Sequence, residues 1–173
     1  SVKPRQVILG STTECFQPIE QVYRLTGRIL SVLNKYHVPY IVLSRSPLIC
    51  EYIPLLKKGY CRQIYFSVNR YDTALKARLE PISASFALRD KAVQTLLDEK
   101  LEVIPYFSPV LPWLSELEGV CERFPQASRV EFEFFNCRLA NILDMVRVIS
   151  SVRPEVNETT ALVLGAKQSR GKS

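Results

Sequence analysis

The sequence is poor in the residues most often recruited for chemistry, with one histidine, one methionine and one tryptophan in 173 residues. His37 is the only imidazole, so a Ser/His or Cys/His nucleophile would have to be built on it, and no G-x-S-x-G turn is present. That disfavours a hydrolase. His37 follows an amphipathic stretch and precedes Pro39, which points to a helix-end or surface role. Six glycines are scattered rather than clustered: Gly10 stands alone after the first apolar run, and neither G-x-G-x-x-G nor G-x-x-x-x-G-K follows any candidate strand. The common nucleotide folds are disfavoured with them. No apolar run approaches the ~20 residues of a membrane span, and no signal peptide is visible. The five cysteines, Cys15, Cys50, Cys61, Cys121 and Cys137, are an odd number in a chain large enough to fold without disulfides, as expected in a reducing, cytoplasmic setting. Structural metal sites space cysteines roughly two to four apart, which none of these does, so buried thiols are expected.

What is present is the composition of an ordinary globular domain, 47% apolar and 23% charged. One domain is expected over residues 1–160, followed by a basic tail, 161–173, that carries Lys167, Arg170 and Lys172. The net charge of +6 and pI near 9.1 favour an anionic partner such as nucleic acid, although the basic residues are spread along the chain.

Short β-branched or aromatic runs alternate with helical-period stretches, as in a parallel sheet built from strand–helix units. The expected strands are Gln6–Gly10, Tyr40–Ser44, Gln63–Val68, Val103–Ser108 and Arg129–Asn136. A first helix opens at Pro18, with Ile19, Val22, Ile29, Leu33 and Tyr36 as its apolar stripe, and ends near His37. A shorter one starts around Pro54 and stops at Gly59. A third is capped by Ser85 and turns Leu88, Ala92 and Leu96, with Val93 and Leu97, to the core. Two more cover roughly Trp113–Arg123 and Leu139–Val152. Five such units are compatible with an open doubly wound sheet or with part of a (β/α)8 barrel.

Parallel α/β proteins build their sites at the carboxyl ends of the strands, and here those ends are polar. They carry Ser11, Thr12, Thr13 and Glu14, then Ser44, Arg45 and Ser46, then Ser67 and Asn69, then Ser108, then Asn136. A ring of hydroxyls with one cation suits a small ligand bearing a carboxylate and hydroxyl or amine groups. Ser and Asn are also ordinary turn and capping residues, and pattern alone leaves both readings open.

The stretch from Gly10 to Glu20, G-S-T-T-E-C-F-Q-P-I-E, resembles the G-x-x-T-D-P-Y-Q-P-x-E segment of radical S-adenosylmethionine (SAM) proteins of the DNA repair photolyase and spore photoproduct lyase group. Ser44-Arg45-Ser46-Pro47-Leu48 is similar to their T-K-S-x-L strand end. Phe66-Ser67-Val68-Asn69, then Leu79-Glu80-Pro81, then Arg89, resemble S-[IV]-x, E-P and a helix-opening R, and Phe107 to Pro112 resembles A-P-[IV]-x-P. The ordered set covers Val7 to about Pro112. The resemblance implies a partial TIM-like barrel of parallel strands and alternating helices, with SAM across the carboxyl ends. It places Thr13, Arg45, Ser67 and Ser108 at SAM-contacting positions, Arg45 toward a carboxylate or hydroxyl and Ser67 toward the amino-acid or ribose part. It also implies that Glu80 and Arg89 pair to fix the loop after the third strand.

The departures bear on activity. The C-x-x-x-C-x-x-C motif that holds the family's [4Fe–4S] cluster is absent from this chain, and family order places it upstream of Ser1. Since the chain opens on Ser1 rather than Met, a fragment is expected, with no catalytic residue of its own assigned and no metal site. Loss of the preceding strand would leave an apolar sheet edge with unpaired backbone groups. The hydrogen-donating cysteine of spore photoproduct lyases has its counterpart at Ser11, which argues against that reaction; Cys15, at the usual Pro position, reads as a packed thiol. The alternative is a non-catalytic barrel module that binds SAM or nucleic acid.

Overall fold

In the computed structural model, which describes residues 5–111, 114–134 and 142–154, strands and helices alternate along the chain. The strands are β1 (Val7–Leu9), β2 (Tyr40–Ser44), β3 (Cys61–Ser67), β4 (Val103–Val110) and β5 (Glu131–Phe134). Their spatial order equals their chain order. The registered pairs are all parallel, with Val7 opposite Tyr40, Val42 opposite Ile64, and Ile64 opposite Val103. Parallel neighbours need a crossover, and the chain supplies helices α1 (Glu20–Tyr23) and α2 (Leu25–Lys35) between β1 and β2. A 3-10 segment (Pro47–Tyr52) and α3 (Ile53–Leu56) join β2 to β3, and α4 (Thr73–Leu79) and α5 (Phe86–Asp98) join β3 to β4. Then α6 (Val120–Arg123) precedes β5, and α7 (Ile142–Val152) follows it. The fold is α/β with a five-strand parallel sheet and alternating helices.

The chain divides into two compact units, Ser1–Val68 with Ser83–Phe107 and Glu118–Glu131, and Asn69–Ile82 with Ser108–Leu117 and Phe132–Ser173. The core of the first is a continuous apolar layer: Phe16, Leu30, Tyr40, Val42, Ile49, Ile64, Phe66, Val93, Leu96, Ile104 and Phe107 are all fully buried. Along β2 the buried Tyr40, Val42 and Ser44 alternate with the half-buried Ile41 and Leu43, so one face of the sheet is fully covered and the other partly. In the second unit Tyr71, Leu75, Leu111, Leu114 and Ile149 are buried. The basic tail 161–173, Cys137, Asn136, Trp113 and Pro112 lie outside the described residues.

Several boundaries differ from the sequence reading. The helix expected from Pro18 to His37 is two helices, because Arg24 takes a left-handed conformation at φ 52° and resets the helical phase. The side of α2 that is covered is therefore Thr26, Gly27 and Leu30, while Ile19, Val22, Ile29 and Tyr36 of the expected stripe are exposed and Leu33 is half-buried. Leu88 is likewise exposed at the first turn of α5, where Ser85 accepts from its N–H at 3.3 Å; Ala92, Val93, Leu96 and Leu97 are buried as expected. The Trp113–Arg123 helix is reduced among the described residues to Val120–Arg123, and α4 was not foreseen. Asp72 caps α4, accepting from Ala74 and Leu75 N–H at 2.8 and 3.1 Å.

With no side-chain cap at Arg24, the first N–H groups of α2 are satisfied by Glu20. Its buried carboxylate accepts from the N–H of Thr26 and of Gly27, both at 3.0 Å, and from the Tyr52 hydroxyl at 2.9 Å. Burial alone would push the Glu20 pKa up, but the bonds from Gly27, Thr26 and Tyr52 outweigh it and hold the group below its ordinary value. A folded-state pKa below the unfolded one contributes stability that is fully present above the unfolded value, about 4.3 for Glu, and is lost as pH falls through the folded one. Thermal melts across pH 2.5–7 (roughly spanning that range) are expected to show midpoints falling on acidification. Glu20→Gln is expected to cost about 1–3 kcal/mol at neutral pH, as donors lose a charged acceptor, and to flatten the acid limb. An acid limb as steep in the variant as in the parent would refute this assignment.

Candidate functional site

The carboxyl ends of β1 and β2 are joined by one side chain. Glu14, in the loop after β1, accepts through Oε1 from the Ser44 hydroxyl and its own loop's Phe16 N–H, both at 2.9 Å, and through Oε2 from the Arg45 N–H at 2.8 Å. Ser44 Oγ in turn accepts from Ser46 N–H at 3.0 Å, and Ser46 caps the 3-10 segment, accepting from Leu48 N–H at 3.4 Å. Two of the hydroxyls read as a polar strand end, Ser44 and Ser46, are thus engaged in holding the two loops. The loops meet because Gly10, at φ 81°, has no side chain: a Cβ there would lie 2.1 Å from the Leu43 carbonyl oxygen.

The four expected ligand positions differ in what the fold does with them. Thr13 is exposed on the β1 loop. Arg45 is half-buried just past β2, its backbone held by Glu14. Ser67 is the last residue of β3, 7% exposed, and its Oγ is buried with no hydrogen-bond partner. These three belong to the first unit; Ser108 belongs to the second, where its hydroxyl donates to the Glu133 carboxylate. Also in the second unit, Asn69 donates through Nδ2 to the Pro109 carbonyl at 2.9 Å, which leaves its Oδ1 buried without a partner. Buried polar atoms are nearly always paired, since an unpaired one costs about 1–3 kcal/mol, so Ser67 Oγ and Asn69 Oδ1 mark groups that a bound molecule or water would satisfy. Sequence patterning named both residues but held no signal for this state.

Glu80 and Arg89, expected to pair, fall in different units. Glu80 accepts from the Tyr71 hydroxyl, and the fully buried Arg89 donates through Nη2 to Ser83 Oγ at 2.7 Å and lies 5.8 Å from the Phe86 ring. Arg123 pairs with Asp90 at 3.2 Å and stacks over Phe124 at 5.0 Å. His37 takes a left-handed φ of 56° just after α2, donates its N–H to Asn34 O at 3.2 Å and stacks on Tyr60 at 5.0 Å, a helix-end role.

Cys15, Cys50, Cys61 and Cys121 are free thiols. Burial, reinforced by Glu14, pushes the Cys15 thiol up to about 12, and burial pushes Cys61 to about 12 and Cys50 upward. Such thiols stay protonated and are poor nucleophiles or metal ligands at neutral pH. No group of three or more His, Cys, Asp or Glu is gathered for a metal among the described residues. Nor is any helix among them long and apolar enough to cross a membrane.

No protein-family model matches the chain, and no solved structure matches it significantly. Over 134 residues it is 28% identical to an uncharacterized protein of Methanocaldococcus jannaschii, a match covering 77% of this chain and 51% of the relative. The chain spans about half the length of that curated relative.

Gly10 and Gly59 both sit at positive φ, but nothing lies within 4 Å of a Cβ at Gly59. Gly59→Ala is expected to cost only the left-handed strain of about 1–2 kcal/mol. Gly10→Ala adds a collision with the β2 backbone and is expected to lower the urea midpoint further. Equal midpoints in the two variants would contradict the close β1–β2 approach.

Proposed function

We propose that this chain is the SAM-binding part of a radical SAM enzyme related to the spore photoproduct lyase group, with the strands forming part of a TIM-like barrel. The observation that carries the reading is the buried, unmatched Ser67 hydroxyl at the carboxyl end of β3, at a position where the ordered sequence blocks resemble a SAM contact. Support also comes from the parallel sheet, whose strand ends bring Thr13 and Arg45 to the same end of the first unit as Ser67.

In this reading Ser67 would satisfy its hydroxyl on the amino-acid or ribose part of SAM. Arg45 would pair with a carboxylate or hydroxyl, which a guanidinium can do bidentately, and Thr13 would add a hydroxyl contact. Arg45 stands where the family usually has Lys, and the two are not interchangeable in geometry. Glu14 acts by position, since its three bonds fix the loop that carries Thr13 and the backbone of Arg45. A [4Fe–4S] cluster would supply the electron for reductive cleavage of SAM. The cysteines here do not fit that group, so the reading assigns the cluster to a segment outside this chain. The substrate class is open, with nucleic acid favoured by the net charge of +6, in a reducing cytoplasmic setting. With Ser11 at the hydrogen-donor position, repair of spore photoproduct is not proposed.

That basic balance also favours a second reading, a non-catalytic module that binds SAM or nucleic acid. Calorimetric titration with SAM, and with DNA over a salt series, separates the two. Ser67→Ala sharpens the test, because removing an unmatched buried hydroxyl is expected to leave thermal stability unchanged or raised. The same change is expected to weaken SAM about 2–12-fold, the worth of one hydrogen bond. A variant less stable than the parent with unaltered SAM affinity would sink the leading reading. Salt-sensitive DNA binding without SAM binding would favour the second.

A further inference from the structure

At the amino ends of β2 and β3 the loop after α2 meets the loop after α3. Tyr40 N–H donates to Tyr60 O at 2.9 Å, and the His37 ring stacks on the Tyr60 ring with centroids 5.0 Å and planes 13° apart. Beside them lies a groove of about 320 Å³, lined by Ser31, Asn34 and Lys35 from α2 and by Leu55, Lys58 and Tyr60 from α3 and the loop after it. Ligand sites typically measure roughly 300–1,000 Å³. Asn34 fixes the separation of the two walls: its Nδ2 donates to Leu55 O at 2.9 Å, and its Oδ1 accepts from the Tyr40 hydroxyl at 3.3 Å.

The groove is cationic, and none of the residues lining it is acidic. Among the described residues no carboxylate pairs with Arg28, Lys35 or Lys58; Lys35 Nζ lies over the ring of its own neighbour Tyr36, at 5.6 Å. Arg28, Ser31 and Lys35 recur at i, i+3 and i+7 on one side of α2, so the row continues about 10 Å along the helix. A cation in the last turn complements the helix dipole, which accounts for Lys35. The dipole opposes Arg28 in the first turn, and it does not explain Lys58 on the other wall. By contrast, the neighbouring Lys57 is paired with Glu99 at 2.7 Å and Arg24 with Glu51 at 3.4 Å. Like charges lining one groove repel within the ~8–10 Å screening length, and an anion between them turns that cost into attraction.

We propose that this groove binds the backbone of a single-stranded nucleic acid, with Arg28, Lys35 and Lys58 on phosphates and an unpaired base stacked on His37. His37 is exposed, so the His37–Tyr60 stack is open on one face, and Tyr36 beside it is 66% exposed. A positively charged groove with aromatic platforms holds single strands without sequence preference, because every base has a π-face and every linkage a charge. A duplex keeps its base faces inside and offers no ring for His37 to meet. His37 retains its helix-end role through its backbone, whose N–H donates to Asn34 O at 3.2 Å, which leaves the ring free for stacking. Thr13, Arg45 and Ser67 stand at the opposite end of the strands, so strand binding here is independent of the SAM reading.

Fluorescence anisotropy of a labelled oligothymidylate of about a dozen nucleotides, within the ~4–16 of single-strand sites, tests this on the 173-residue chain. Lys35→Ala with Lys58→Ala is expected to weaken binding about 10–30-fold at roughly 0.1 M salt. It is also expected to flatten the slope of log affinity against log salt by about 1.4, at ~0.7 per phosphate contact. His37→Asn keeps a residue type that tolerates the left-handed backbone and is expected to weaken binding about 5–150-fold, the worth of one stacked base, with the slope unchanged. Arg78→Ala with Lys91→Ala, at exposed positions on α4 and α5, removes the same charge elsewhere and is expected to leave the slope unchanged. No binding by the parent, or equal losses in the two double variants, overturns the proposal. So does thymidine monophosphate that binds as tightly as the strand, for that assigns the groove to a free phosphate ester. Displacement of the strand by oligoglutamate at equal charge overturns it too, for that assigns the groove to an acidic peptide.

Discussion

Parallel pairing is the constraint from which the rest of this structure follows. Two parallel strands cannot be joined by a tight turn, so every pairing from β1 to β4 obliges the chain to return over the sheet, and the helices are those returns. One face of the sheet is wholly covered, which is why Val42, Ile64 and Phe66 are inaccessible, while Ile41, Leu43 and Tyr65 on the other face are half-buried. The same arrangement brings the carboxyl ends of β1, β2 and β3 to one end, which is where Thr13, Arg45 and Ser67 stand. It also leaves one edge exposed at β1, where the ladder stops.

Two glutamates translate that topology into fixed loops. Glu20 caps a helix that the left-handed Arg24 has detached from its predecessor, and Glu14 ties the loop after β1 to the end of β2. Each carboxylate accepts three hydrogen bonds, which is how a charged group becomes tolerable in a partly or wholly buried place. Their effect is positional. Ser44 and Ser46 are consumed in the same network, so Ser67, outside it, stands out as a buried hydroxyl without a partner.

How much was legible beforehand can be judged from particular elements. β2 was read at its observed bounds, since Tyr40 to Ser44 is an apolar run between Pro39 and a polar cluster. Among the described residues the strand ends lie within a few residues of those the pattern predicts, and Ser85 is the cap that the sequence predicts. The first helix was read as one because periodicity does not register a single left-handed residue, and Arg24 is not a residue type that announces one. Helix α4 was missed because its seven residues are too few to establish a period. The apolar stripe that the pattern predicts along α1 and α2 is exposed except at the half-buried Leu33.

The amino-acid order by itself determined the alternation of elements, the parallel class of the sheet and the polarity of the strand ends. These depend on local propensity and on the period of burial, which neighbours in sequence are enough to express. Only the tertiary structure decided which polar groups at those ends are spent on one another and which are left unmatched. That outcome turns on distances of about 3 Å between residues up to 31 positions apart, such as Glu14 and Arg45, and no local pattern encodes them. It decided likewise which apolar face of α2 is covered, because covering belongs to the neighbour a face meets and not to the face itself.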